Sequence, residues 1–216
     1  MLKNYSNPDY KSREGRNAYC IKLIDEFFSD TKTILNLGGG GSRYFKDTKY
    51  KVTEVDQSGD NNITLDLDNV EKIPFESNSF DTVICLDVLE HLENFHLILD
   101  EMNRVSEKYI IISLPNCVHA FFEILFDKRS KNQFENGYYN KFYGLPLNKP
   151  SDRHRWFFTI SDIENFFEYY SKKNNLKVEF ILPKINSIKS KILNIFLKKR
   201  LKKEILTKYA WIIIRK

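Results

Sequence analysis

The segment between Ile34 and Asp56 restricts the chain to a small number of folds. A short apolar run is followed by four consecutive glycines, a spacer of helix length, a second apolar run and an acidic residue. Glycines let a backbone approach a ligand closely, and a carboxylate at the end of the next strand can accept hydrogen bonds from two ribose hydroxyls. The segment therefore predicts a βαβ unit that binds a nucleoside.

The length and composition are those of one domain. A chain of 216 residues can bury a substantial core. It has no uncharged apolar run near the roughly 20 residues that span a bilayer, and its polar N-terminus lacks the apolar segment of a signal peptide. The three cysteines are too few and too scattered for a disulfide framework or a zinc site. We expect a single cytoplasmic domain over residues 1–216.

The net charge of +5 comes from one part of the chain. Eight Lys or Arg residues and no Asp or Glu lie between Lys184 and Lys203. The pattern predicts a basic amphipathic helix over 184–203, which either contacts an anionic membrane surface weakly or packs on the sheet as an ordinary helix. No nucleic-acid partner is expected, because the patch is local and no RNA-binding module accompanies it.

Strand-like and helix-like segments alternate along most of the chain. This alternation favours a parallel sheet with right-handed crossovers, preceded by a helical cap at 1–30. We predict a Rossmann-like, doubly wound α/β fold with a mostly parallel seven-stranded sheet and helices on both faces. The predicted strands are 34–37, 51–55, 62–65, 80–86, 109–114, 176–182 and 209–214, and the predicted helices are 16–28, 89–105 and 159–170.

One long stretch does not follow this alternation. Residues 118–158 are aromatic-rich and contain glycines and prolines without clear periodicity. Such a stretch in a compact domain is usually functional, so we predict an acceptor-side insertion over 118–160.

Two of the families that share a glycine turn do not fit the sequence. A P-loop needs Gly-Lys-Ser/Thr after the glycines, which is missing here. The dinucleotide fingerprint needs a third glycine three positions after Gly40, where Arg43 stands. A long side chain at that position opposes the close packing of helix and strand that the glycine permits.

The remaining pattern resembles the class I S-adenosylmethionine-dependent methyltransferase family. Three segments carry the resemblance in the family's order: the glycine turn, IPF…NSFD at 73–81, and VLEHL at 88–92. The resemblance covers about residues 34–115. It implies methyl transfer as the activity and S-adenosylmethionine as the cofactor.

The resemblance also assigns cofactor-binding roles. Gly38 and Gly40 would lie against the methionine and ribose portion of the cofactor, and Asp56 would hold the ribose hydroxyls. Asp66 would be near the adenine amino group, with Asp68 as the alternative. Each of these two aspartates could instead be a turn former.

Two further positions concern the methionine end of the cofactor. Leu86 and Asp87, at the carboxyl end of the fourth strand, would border it. Asn36 stands where the family commonly has an acidic residue. It can still form hydrogen bonds with the cofactor, but it supplies no negative charge toward a sulfonium.

Acceptor-binding groups should follow the fourth and fifth strands, because the donor methyl group is expected there. We therefore predict that Asp87 is catalytic and that Asn116 binds substrate. In the insertion, His154 would be the general base, flanked by Arg153 and Arg155, which could grip a phosphate. The alternative is a solvated loop anchored by its aromatic residues.

The loop sequence DRHRWF is similar to a segment of methyltransferases from bacterial surface-polysaccharide gene clusters. We expect O-methylation of a phosphorylated small molecule, sugar or nucleotide-linked surface-glycan precursor. The alternatives are a quinone, lipid or other small-molecule methyltransferase, and a non-catalytic nucleoside- or RNA-binding protein of the same fold. Histidines and carboxylates do not show metal-ligand spacing in the sequence, so no metal is expected.

Overall fold

A computed structural model describes residues 12–40, 45, 48–59, 62–126, 153–183 and 197–216. In these residues seven strands form one sheet in the order β3-β2-β1-β4-β5-β7-β6. β7 is antiparallel to β5 and β6, and the other neighbours are parallel. The predicted fold class is confirmed. The strands are β1 (Thr33–Leu37), β2 (Lys51–Asp56), β3 (Ile63–Thr64), β4 (Phe80–Leu86), β5 (Ser106–Pro115), β6 (Lys177–Ile181) and β7 (Tyr209–Arg215).

Some of the helices begin at residues whose side chains satisfy free backbone N–H groups. Ser12 caps the first helix by accepting a hydrogen bond from Gly15 N at 3.2 Å. Thr159 and Asp162 form a reciprocal capping box at the fourth. The α-helices of the described residues are α1 (Arg13–Phe27), α2 (Phe95–Val105), α3 (Cys117–Phe126), α4 (Ile160–Lys173) and α5 (Lys199–Leu206).

The central strands are buried on both faces, and alternate residues divide between two cores. In β4, Val83 and Cys85 belong to the core that α2 and α4 cover. Ile84 and Leu86 belong to the core that α1 covers. Every residue of β4 is buried, as expected for a parallel strand between two helical layers.

The helix predicted over 89–105 is interrupted. A 3₁₀ turn occupies Leu89–His91, and α2 begins only at Phe95. The carbonyl oxygens of Glu90 and Leu92 accept hydrogen bonds of 2.8 and 2.6 Å from the 153–159 segment. Because that distant segment uses these carbonyls, periodicity alone gave the wrong start for the helix.

The predicted irregular stretch is also wrong at its beginning, because α3 occupies Cys117–Phe126. Asn116 caps this helix: its Oδ1 accepts hydrogen bonds from Val118 N at 3.0 Å and His119 N at 3.3 Å. The rest of the predicted insertion up to residue 152 lies outside the described residues.

A continuous helix was predicted over 184–203, but the part of this segment that the structure describes is only partly helical. Residues 184–196 lie outside the described residues, residues 197–198 are not helical, and α5 begins at Lys199. The buried carboxylate of Glu204 in α5 accepts hydrogen bonds from the first residues of α4, so α5 packs on the domain as an ordinary helix. Membrane-surface contact through 184–203 stays a prediction. In the described ranges, the helices are too short or too polar to cross a membrane.

The strand order changes direction between β1 and β4, which leaves a crevice at the carboxyl ends of these strands. Leu37 of β1 pairs with Val55 of β2 and with Cys85 of β4. The residues that follow these strands therefore meet at one edge of the sheet.

Candidate active site

The turn after β1 leaves no room for side chains at Gly38 and Gly39. Gly38 and Gly40 have φ angles of +73° and +68°, which strain other residues. A Cβ at Gly38 would lie 2.3 Å from Val88 Cγ2, and a Cβ at Gly39 would lie 1.8 Å from Glu54 Oε2. The turn is therefore a bare backbone cradle, as the predicted role of the two cofactor-binding glycines requires.

Asp56 ends β2 beside this cradle. Its Oδ2 accepts a hydrogen bond from Gly40 N at 2.9 Å, and its Oδ1 accepts one from Ser58 N at 3.2 Å. A carboxylate has about four acceptor positions, more than these two hydrogen bonds occupy. The cradle and this carboxylate together fit a nucleoside cofactor.

Against the cradle, Asn36 pairs with a carboxylate that the sequence analysis did not single out. Both side chains are almost fully buried, and Asn36 Nδ2 donates to Glu54 Oε2 at 2.8 Å. Burial raises the pKa of Glu54 to about 7; the hydrogen bond from Asn36 opposes this rise and the Asp56 charge adds to it. The signal in the sequence that could have revealed Glu54 was the presence of an acidic residue inside a predicted central strand.

Asp66 and Asp68 stabilise the turn after β3. Both oxygens of Asp66 accept hydrogen bonds within it, from Asp68 N at 3.0 Å and Asn69 Nδ2 at 2.6 Å. Asp68 Oδ1 accepts from Asn94 N at 3.3 Å, and Oδ2 lies 3.4 Å from Arg155 Nη2. These contacts agree with the turn-forming alternative, and the predicted contact of either residue with adenine stays a prediction.

Leu86 and Asp87 lie at the carboxyl end of β4. The Leu86 side chain is buried in the core under α1, and its place beside the methionine end of the cofactor stays a prediction. Asp87 Oδ1 accepts a hydrogen bond from Ser113 Oγ at 2.5 Å, and its other oxygen pairs with Arg16. The Asp87 carboxylate is thus anchored at the sheet edge, and its catalytic role stays a prediction.

The structure gives Asn116 a different role from the predicted substrate contact. The residue is fully buried, and its Nδ2 donates to the carbonyl oxygens of Glu204 and Thr207, both at 2.6 Å. Its Oδ1 caps α3. Since both ends of the amide bind inside the protein, Asn116 is a structural residue.

Arg155 anchors its segment to the turn after β4. Its main-chain N donates to Glu90 O and its Nε donates to His91 O, both at 2.8 Å. Its guanidinium also pairs with Glu93 at 3.2 Å and Asp68 at 3.4 Å. Two carboxylates therefore offset the charge that was predicted to grip a phosphate.

Anchoring this segment brings His154 against Glu90 and His91. The Nε2 atoms of His154 and His91 lie 3.9 and 3.8 Å from the same oxygen, Glu90 Oε1. The two imidazole rings meet edge to face with centroids 4.3 Å apart. Sequence spacing did not reveal this group, because its members come from two motifs, VLEHL and DRHRWF, that are far apart in the chain.

The cluster of Glu90, His91 and His154 lies near the ends of β4 and β5. Cys117, just after β5, donates from its Sγ to Trp156 O at 3.9 Å. Burial raises the pKa of the Cys117 thiol to about 11, hydrogen bonding at Phe158 opposes the rise, and the Glu90 charge adds to it. Val88, two residues before Glu90, lies against Gly38, so the cluster and the glycine cradle border the same edge of the sheet.

Comparison with known proteins gives the activity of this site. Residues 35–109 match the family model of a methyltransferase domain. The chain is an S-adenosylmethionine-dependent methyltransferase. This confirms the cofactor prediction and sets aside the non-catalytic alternative. No curated protein matches the methyltransferase in sequence.

Several solved structures share its fold. An S-adenosylmethionine-dependent methyltransferase from Archaeoglobus fulgidus is 19% identical, with a TM-score of 0.57 and 95% coverage of both chains. The methyltransferase domain of bacterial CtHen1-CN is 18% identical, with a TM-score of 0.54 over 93% of this chain and 97% of that one. The plantazolicin methyltransferase BpumL, in complex with a desmethylPZN analog and SAH, is 13% identical, with a TM-score of 0.54 over 94% and 83%. At these identities the similarity shows the fold alone.

The site residues fit the cofactor. Gly38 and Gly40 would lie against it, Asp56 would hold its ribose hydroxyls, and the Asn36–Glu54 pair closes the cradle from the other side. S-adenosylmethionine supplies an activated methyl group. The protein's own residues must then orient the acceptor and handle its proton.

Replacing Asp56 with alanine should weaken binding of S-adenosylhomocysteine by roughly 30-fold, because the hydrogen bonds that the ribose hydroxyls donate to the carboxylate are lost. At a ligand concentration of ~100 times the wild-type Kd, the ligand should stabilise the wild type by roughly 2.7 kcal/mol and the variant by under about 1 kcal/mol. Thermal unfolding with and without the ligand measures this difference.

Asp30→Ala is the matched control, because Asp30 bonds Tyr109 at 3.0 Å, near the amino ends of the strands. It should keep the full ligand-induced shift. An equal shift in wild type and Asp56→Ala would show that Asp56 does not hold the ribose.

Proposed function

We propose that the methyltransferase methylates a hydroxyl oxygen of a small polar acceptor, such as a sugar or a nucleotide-linked glycan precursor. The observation that supports this most is the cluster of Glu90, His91 and His154 beside the glycine cradle. A hydroxyl must lose its proton when its oxygen is methylated. Imidazole and carboxylate groups are the usual side chains for moving protons near neutral pH.

One exposed arginine supports an acceptor that carries a phosphate. Arg153 precedes His154 and is exposed, whereas Arg155 is held by Glu93 and Asp68. We therefore assign the phosphate contact to Arg153 rather than to both arginines. Arg153→Ala should raise the acceptor KM several-fold with little change in kcat, because a surface ion pair contributes to binding and not to the chemical step. Steady-state kinetics with varied acceptor measures both constants.

An apolar acceptor is the second candidate. Phe157, in the same segment, is 58% exposed, and a quinone or lipid would cover such a ring. For that acceptor Arg153→Ala should leave KM unchanged and Phe157→Ala should raise it, the reverse of the pattern for a phosphorylated sugar.

An acceptor panel tests the proposal directly. The wild-type protein would be incubated with methyl-labelled S-adenosylmethionine and, separately, with sugar phosphates, nucleotide sugars, a quinol and small amines. We expect labelled product with a sugar hydroxyl, and none with Asp56→Ala at low donor concentration. A higher kcat/KM for an amine or a quinol would overturn the hydroxyl-sugar assignment.

A further inference from the structure

We propose that Glu90, His91 and His154 bind one divalent transition-metal cation. Each residue offers one ligand atom, and the three ligand atoms lie within 4.8 Å of one another. The group consists of two imidazoles and one carboxylate that enter from two separate segments of the chain. Nothing in the methyltransferase fold by itself requires these three side chains to converge.

Hydrogen bonds from Arg155 and Trp156 to the main chain of the 90–92 turn hold the three ligand residues in place. The main chain of Arg155 bonds Glu90 O, and its guanidinium bonds His91 O. Trp156 Nε1 donates to Leu92 O at 2.6 Å, which adds a second anchor two residues after His154. A site held in this way needs little reorganisation when a cation enters, and preorganisation strengthens binding.

The ligand types select a class of cation. Imidazole nitrogen and carboxylate oxygen suit Zn²⁺, Fe²⁺, Mn²⁺ and Co²⁺, whereas Ca²⁺ and Mg²⁺ prefer oxygen ligands alone. Ligand atoms about 2.1 Å from a metal lie roughly 3.3 Å from one another. The present distances of 3.8 and 3.9 Å from the histidine nitrogens to Glu90 Oε1 must shorten by about half an ångström to reach that value. Three protein ligands also leave coordination positions open, as in catalytic metal sites.

The competing explanation is an ion-pair cluster without metal. Glu90 is fully buried, and two neighbouring histidines could compensate its charge by taking up a proton. In that cluster a proton on a histidine, and not a bound metal ion, would compensate the charge of Glu90. The two explanations differ in a direct measurement, because only one of them predicts stoichiometric binding of metal.

A cation here would activate the acceptor, and this part rests on the proposed function. The cluster is near the ends of β4 and β5, where the acceptor is expected. A coordinated hydroxyl loses its proton to water more readily, because the metal stabilises the alkoxide. The alkoxide oxygen then forms the new O–C bond as the S–C bond of the donor breaks, which leaves an ether and S-adenosylhomocysteine. His154 acts as a metal ligand in this scheme, in place of the general base predicted from the sequence.

Metal binding can be tested without an acceptor. The full-length protein would be stripped with a chelator and titrated with Co²⁺ and Zn²⁺, with Co²⁺ absorption and metal analysis after gel filtration as readouts. We expect one equivalent bound by the wild type, and affinities at least about 100-fold weaker in His91→Ala, His154→Ala and Glu90→Gln. His96→Ala is the control, since His96 lies against Trp156 outside the cluster, and it should bind metal like the wild type.

Two results would overturn the proposal: less than stoichiometric binding by the wild type, or unchanged binding in the three cluster variants. Thermal unfolding and S-adenosylhomocysteine binding by each variant report whether it is folded; Glu90→Gln keeps the size of its side chain and serves if an alanine variant does not fold. Stoichiometric metal with no activity on hydroxyl acceptors would uphold the site and reject the proposed acceptor. Activity on a hydroxyl acceptor that a chelator does not reduce would uphold the proposed function and reject the metal's role in it.

Discussion

Asn116→Ala is expected to lower the free energy of unfolding by about 4 kcal/mol, measured by urea denaturation. The loss of the cap on α3 contributes about 1 kcal/mol. The carbonyl oxygens of Glu204 and Thr207, now bonded to Asn116 Nδ2 at 2.6 Å, would each lose a donor in a buried place. An unsatisfied buried polar group costs roughly 1–3 kcal/mol.

The effect should extend to the neighbouring helices. Glu204 is buried, and its carboxylate accepts hydrogen bonds from Ile160 N at 2.7 Å and Ser161 N at 3.1 Å. Asn116 therefore joins the beginning of α3 to α5, and α5 in turn joins the beginning of α4. Removing one side chain should therefore weaken the contacts among three helices.

Asn94→Ala is the matched control. Asn94 Nδ2 makes one hydrogen bond to a carbonyl oxygen, that of Asp68, at 2.7 Å, and the expected loss is about 1 kcal/mol. The substrate-binding role predicted for Asn116 from the sequence would give the opposite effects on stability and KM. A substrate-binding residue would leave stability unchanged and raise the acceptor KM, so wild-type stability in Asn116→Ala would restore that role.

Local patterns predicted the central part of the sheet well. The strand predicted at 80–86 has the observed bounds of β4, because a polar turn at 77–79 precedes it and the apolar run 83–86 ends at Asp87. Where an apolar periodic pattern is not bounded by such polar residues, the predicted start of the element was wrong. The helix predicted from residue 89 begins six residues later at Phe95, since the carbonyls between them bind the 153–159 segment.

The helix α3 was missed for a different reason. Its residues, CVHAFFEILF, are almost all apolar, so they show no polar face and no helical period. Its start depends on Asn116, whose side chain is held by carbonyl oxygens 88 and 91 positions later in the chain. A local pattern does not contain that information.

The site residues likewise fall into those that a local motif predicts and those that depend on distant partners. The glycines and Asp56 were predicted from one contiguous motif, and the structure places Asp56 against Gly40. Glu54 and Glu90 were not predicted, because their importance comes from partners on other elements. At position 36 the family commonly has an acidic residue, and here Asn36 stands there instead. A carboxyl group nonetheless lies beside that position, because Glu54 of β2 bonds Asn36.

Glu54→Gln is expected to make the protein more stable above pH 7. Burial raises the pKa of Glu54 from its ordinary value of 4.5 to about 7. Between these two values the folded protein keeps a proton that the unfolded protein has released. The stability of the wild type therefore falls as the pH rises through this window, and the loss is complete above about pH 7.

The size of the effect follows from the shift. One pKa unit corresponds to about 1.4 kcal/mol, so the wild type should lose on the order of 3 kcal/mol between pH 4.5 and pH 8. Glutamine has nearly the same shape, and its amide oxygen can accept the hydrogen bond that Asn36 now donates at 2.8 Å. Since the amide does not ionise, the variant should lack this loss.

Urea denaturation at pH 5 and pH 8 tests the prediction. The two proteins should differ little at pH 5, and the variant should be more stable by on the order of 3 kcal/mol at pH 8. Glu93→Gln is the control, because Glu93 is an exposed partner of Arg155 and its substitution should change the pH dependence little. If the stability of wild type and Glu54→Gln changed in parallel between the two pH values, Glu54 would be ionised in the folded protein at pH 5. The pair with Asn36 would then be a hydrogen bond to a permanent charge beneath the cradle.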